Sequence, residues 1–79
     1  MNTYYLEFVL HTYHATLLEI KNALAEFGEC LDVSETPPEP DIRGRHFKIT
    51  VCAQEPTLVF DACAHFGRIK SVKVEDKKQ

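Results

Sequence analysis

A chain of 79 residues has room for one core and none for a second domain. With 44% hydrophobic and 27% charged residues, its composition is that of a globular domain and excludes an intrinsically disordered one. A formal net charge of −3 disfavours general nucleic-acid binding, and the lack of a long apolar run or signal-peptide layout argues against a membrane segment and leads us to expect a cytoplasmic protein.

Residues 4–10 are rich in β-formers and read as the first strand, with Leu6, Phe8 and Leu10 on one face and Tyr5, Glu7, Val9 and His11 on the other. A helix follows. Thr16 and Glu19 have capping-box spacing, and Leu17, Ile20, Leu24 and Phe27 repeat at helical spacing. Gly28 is placed for a left-handed residue at the helix end. The second strand, Glu29 to Glu35, is expected to turn Leu31 and Val33 inward. Residues 36–44 hold Pro37, Pro38 and Pro40 and form a stiff hairpin loop.

The third strand starts near Arg45, with Phe47, Ile49 and Val51 inward and His46, Lys48, Thr50 and Cys52 outward. Pro56 suits the first turn of a second helix, whose buried side is Val59, Ala62, Cys63 and Phe66 and which Gly67 closes. Ile69 to Glu75 read as the fourth strand, with Val72 and Val74 inward, and residues 76–79 as a frayed tail. Two such strand–helix–strand units predict one α+β domain over residues 1–79. Its fold would be a ferredoxin-like βαββαβ sandwich, with sheet order 4-1-3-2 and both helices on one face.

That topology brings chemistry to one end. His11 closes strand one, His14 precedes helix one, His46 opens strand three and His65 ends helix two, so all four histidines fall at the end where strand one finishes. Arg43, Arg45 and Arg68 join them. The start of helix one adds N–H donors that favour anions. These seven residues are the candidate surface for a small anionic ligand or a protein partner. Full protonation of the four histidines would raise the formal charge from −3 to about +1, so anion binding is expected to strengthen below about pH 6.5. The opposite end collects Glu26, Glu29, Glu55, Glu75 and Asp76, with Lys77 and Lys78 nearby.

Other patterns are weaker. His11-Thr-Tyr-His14 lies in the crossover loop where heavy-metal-associated domains of this topology carry a CxxC pair, which makes His11, His14 and His46 candidate metal ligands. Cys30, Cys52 and Cys63 are an odd number without a CxxC pair, which argues against a disulfide scaffold. If Leu31 pairs with Val51, Cys30 stands opposite Cys52 as a candidate redox pair. Pro37-Pro-Glu-Pro40 has the minimal polyproline-ligand spacing but acidic flanks. Tyr5 is a single stacking aromatic beside Glu7, too little for RNA reading. No nucleophile–base pair or carboxylate pair defines a reaction class, and nothing calls for a cofactor.

The stretch His14-Ala-Thr-Leu-Leu-Glu-Ile-Lys-Asn-Ala-Leu-Ala-Glu-Phe-Gly, followed by Glu-Cys-Leu-Asp-Val-Ser-Glu, resembles the first half of an ACT domain. The ending Phe66-Gly-Arg-Ile-Lys-Ser-Val-Lys-Val74 is similar to that family's last turn and strand. Where the family usually has Pro-Gly or Gly before helix one, Ala15 and Thr16 stand here. The resemblance implies a non-enzymatic regulatory domain and a homodimer paired through sheet edges and neighbouring helices, for which Leu18 and Leu58 are contact candidates. The competing readings are a histidine-based metal-binding protein and a stand-alone inhibitor or adaptor of a macromolecular complex, of the kind phages encode.

Overall fold

A computed structural model describes residues 3–37 and 40–77. The elements run β1 (Thr3–Thr12), α1 (Leu17–Leu24), β2 (Glu29–Glu35), β3 (Arg45–Ala53), α2 (Pro56–Ala64) and β4 (Gly67–Lys77). The strands form one four-stranded antiparallel sheet in the order β2-β3-β1-β4, which is the predicted order read from the other edge. Local signals set the helix starts. Thr16 accepts from the Glu19 N–H while the Glu19 carboxylate reaches back to the Thr16 N–H, a complete capping box. Pro56 opens α2, where its missing N–H costs nothing.

The alternation in β1 and β3 builds the core. Leu6, Phe8, Leu10, Phe47, Ile49 and Val51 are fully buried beneath Ile20 and Leu24 of α1 and Val59 and Cys63 of α2. Phe8 meets Phe60 edge to face at 5.4 Å between ring centroids. Both helices therefore bury against the same face of the sheet, and among the described residues the other face carries no helix.

Several expectations need correction. Leu17 is 36% exposed, and Val72 and Val74 are 51% and 47% exposed, so none of the three belongs to the core. Helices of 8 and 9 residues reach about 12–14 Å, whereas strands of 10 and 11 residues run about 33–36 Å, so the edge strand β4 outruns its cover. A bulge adds to this: Ser71 and Val72 together oppose Phe8, with Ser71 at φ 55°. A second bulge sets Cys30 (φ 56°) and Leu31 together against Val51. Cys52 consequently pairs with Glu29, and Cys30 is not its cross-strand partner.

The two glycines expected to end the helices do something else. Neither has positive φ. A Cβ on Gly28 would lie 2.4 Å from Val51 Cγ2 and 2.6 Å from the Cys52 carbonyl oxygen, so Gly28 lets the chain cross β3 closely. Gly67 does the same against β1. Asp76 and Lys77 belong to β4 and are not a frayed tail, since Tyr4 and Thr3 pair with them. The rest of the expected tail, Lys78 and Gln79, lies outside the described residues, as do Pro38 and Glu39 of the hairpin loop. Among the described residues no helix is long and apolar enough to cross a membrane.

The thiols differ sharply in environment. Cys30 is exposed, Cys52 is 6% exposed and Cys63 is fully buried. Burial pushes the Cys63 thiol up from its ordinary 9.0 to about 12. With a colorimetric disulfide reagent at neutral pH, one thiol is expected to react quickly, and the other two only on unfolding; two fast thiols would contradict the burial of Cys52. The unfolded thiol loses its proton first, so the contribution of Cys63 to stability is complete below pH 9 and is lost progressively as pH rises towards 12.

Candidate functional site

The end where β1 finishes is organised by Thr12, a fully buried polar residue. Its Oγ1 donates to the Phe66 carbonyl at 2.7 Å and accepts from the backbone N–H groups of His14 (3.3 Å) and Ala15 (3.1 Å). One hydroxyl thus ties the end of β1 to the start of the α1 connection and to the turn before β4, satisfying groups that would otherwise be buried without partners. Ala15, held by this contact, is itself buried.

Next to Thr12, His11 is only 8% exposed although its face of the sheet carries no helix. Its cover comes from neighbouring side chains and a loop. The His46 ring stacks on it from β3 at 4.4 Å with planes 5° apart, and the Tyr13 ring lies 4.9 Å away, tilted by 58°. His11 Nε2–H donates to the Arg43 carbonyl oxygen at 2.5 Å. Gly44, at φ 92°, lets this loop close, because a Cβ there would stand 2.8 Å from His11 Nε2.

The seven residues gathered at this end by sequence divide between the two faces of the sheet. His46, His11 and Arg68 form one cross-strand row on the helix-free face. Arg45 pairs with Thr12 and lies on the helix side, 3.9 Å from the Glu35 carboxylate. That exposed pair is worth about 0–1 kcal/mol. Arg43 contributes its carbonyl to His11, and the residue is exposed. His14 follows Tyr13 in the exposed connection to α1, and His65 is exposed at the C-cap of α2.

Beside the His11 row a recess of about 570 Å³ is lined by His11, Tyr13, Gly67, Arg68 and Lys70. Among the described residues, two cations and no carboxylate line it. Tyr13 and Lys70 were not anticipated as site residues. Lys70 had a signal, since it lies two residues from Arg68 on the same strand and therefore on the same face. A second recess, of about 440 Å³, lies at the opposite end and is lined by Glu26, Glu29 and Glu55 together with Phe27 and Cys52, among others.

The histidines do not converge as metal ligands would. Ring-nitrogen lone pairs lie in the ring plane, and two parallel imidazoles 4.4 Å apart cannot both aim at one ion about 2.0–2.1 Å away. Among the described residues no group of three or more His, Cys, Asp or Glu side chains is arranged to hold a metal ion. Comparison with protein-family models, with curated proteins and with solved structures finds no match for this chain.

Proposed function

We propose that this chain is a non-enzymatic regulatory or interaction domain, ferredoxin-like and ACT-like in form, that binds a small anionic ligand at its histidine- and arginine-rich end. The sheet order and the burial of both helices on one face support the fold reading. The observation that carries the function is the recess lined by Arg68 and Lys70 with no carboxylate among the described residues that line it, on a chain whose net charge is −3. A guanidinium and an ammonium side by side suit a carboxylate or phosphate group, and Tyr13 offers a 64% exposed ring against which the body of a ligand can lie.

Calorimetric titration with orthophosphate, citrate and free amino acids tests this. In Arg68→Ala/Lys70→Ala, affinity is expected to fall about 10- to 100-fold, the worth of one charge-assisted hydrogen bond of about 1.5–3 kcal/mol. Thermal stability should change little, because Arg68 is exposed and Lys70 half-buried. Arg45→Ala, on the other face, should bind as the wild type does. Unchanged affinity in the double variant, or heat from none of the three ligand types, would sink the proposal.

A further inference from the structure

We infer that the helix-free face of the sheet is a self-association surface, on which a second copy of this chain lies face to face with its strands reversed end for end. The pairing register orders that face into cross-strand rows. Inside a terminal Thr3–Lys77 pair, the two rows toward the far end carry Glu29 and Glu75, then Asp32 and Glu7 with Lys73. The two rows nearest the top carry Lys48 and Lys70, then Arg68 with the histidines His46 and His11. One half of the face is therefore acidic and the other basic. Core packing does not demand this separation, because every one of these positions points away from the helices.

Two-fold symmetry gives the split a consequence. A two-fold axis lying between the sheets and parallel to the strands would set like rows on like rows. An axis perpendicular to the strands sets the acidic rows of each copy on the basic rows of the other, twice. In that arrangement the His11 row of one copy lies over the Tyr5–Cys52 row of its partner, and the exposed Tyr13 ring beyond it reaches the Thr3 end of the partner's β1, an aromatic anchor of the kind that dominates interfaces. Edge-to-edge pairing is the poorer alternative. Each edge strand is interrupted by a bulge with a residue at positive φ, Cys30 in β2 and Ser71 in β4, which breaks the row of N–H and C=O groups a new strand would need.

The face also sets the strength. Four strands about 4.8 Å apart and four rows about 6.8 Å apart present about 500 Å² per copy, so about 1,000 Å² in all, the lower limit of specific interfaces. The dimer is thus weak and dominated by charge. Arg68 and Lys70 lie within the covered area, so a small anion in their recess and the second copy compete, and the dimer stands whether or not such a ligand exists.

Sedimentation equilibrium on the whole chain tests the inference. At about 0.5 mM protein the wild type is expected to dimerise at low ionic strength and to lose at least tenfold in affinity between about 0.05 and 0.5 M sodium chloride, where screening collapses to a few ångströms. Lys48→Glu/Lys70→Glu leaves only Arg68 and Lys73 as cations in these four rows and makes them predominantly acidic, and Glu7→Lys/Asp32→Lys leaves only Glu29 and Glu75 as carboxylates and makes them predominantly basic. Each variant alone should be monomeric, with circular dichroism reporting an intact fold, and the two mixed in equal amounts should form a heterodimer. A wild type that is monomeric at low salt, variants that dimerise as it does, or a mixture that stays monomeric would overturn the inference. Orthophosphate titration of Glu7→Lys/Asp32→Lys reads the recess separately, because that variant keeps Arg68 and Lys70.

Discussion

Replacing Gly67 with alanine is expected to destabilise the domain by about 2–4 kcal/mol, a large loss from a single methyl group. Gly67 opens β4 directly opposite Thr12. A Cβ built there would meet the His11 carbonyl oxygen at under 2 Å and its carbonyl carbon at 2.9 Å. Both are backbone atoms of a central strand, so no side-chain rotation relieves the clash. The first residues of β4 must instead move away from β1. That movement strains the pairs Thr12–Gly67 and His11–Arg68 and stretches the bond from Thr12 Oγ1 to the Phe66 carbonyl. Each hydrogen bond lost costs about 0.5–1.5 kcal/mol, and forcing extra volume into a packed site costs about 1–3 kcal/mol more. The variant also separates two meanings of a glycine. A position that only ended a helix would tolerate alanine for a few tenths of a kcal/mol, whereas one that permits backbone contact would not. Urea unfolding monitored by far-ultraviolet circular dichroism makes the measurement. A shift of the midpoint equivalent to less than about 0.5 kcal/mol would show that β4 does not approach β1 as described.

Much of this architecture was legible because the information was local. Alternation in residues 4–10 and 45–52 assigned Leu6, Phe8, Leu10, Phe47, Ile49 and Val51 to the core, and all six are fully buried. Thr16 with Glu19, and Pro56, marked the helix starts for reasons confined to one turn of chain. The bulges left no such mark. Cys30 and Ser71 are not residues that announce positive φ, and each is held there by the register on both sides of it. That long-range constraint moved Cys30 away from Cys52 and left Val72 outside the core.

At the candidate site, the sequence gathered seven residues toward one end of the sheet without separating its two faces. The separation was nevertheless implicit in strand parity, since Arg45 shares the parity of Phe47 and must lie on the helix side. The burial of His11 was not implicit. It depends on the Tyr13 ring, the His46 ring and a loop closed by Gly44, brought together across more than thirty positions of sequence. A histidine on an uncovered face reads as solvated until those contacts are known.

Phe8→Ala should come close to unfolding the protein. Phe8 is fully buried in the central strand β1, and its ring meets Phe60 edge to face. Truncating a buried phenylalanine removes apolar burial and leaves a cavity that a sheet strand cannot collapse around, at a cost of about 3–5 kcal/mol. For a chain of 79 residues total stability is about 4–12 kcal/mol, at about 0.05–0.15 kcal/mol per residue. The expected loss is therefore about a quarter or more of everything available. In a domain of this size each kcal/mol shifts the melting temperature by about 4–8 °C, so the variant should melt about 12–40 °C below the wild type. Val72→Ala is the matched comparison. The sequence pattern assigns both residues to the core, but Val72 stands in the β4 bulge at 51% exposure and should lose no more than about 0.5 kcal/mol. Comparable losses at the two positions would place Val72 inside and remove the bulge, and with it the register that puts Lys70 and Arg68 on the same face as His11. The melting temperatures of these two variants therefore test the core and the geometry of the candidate site together.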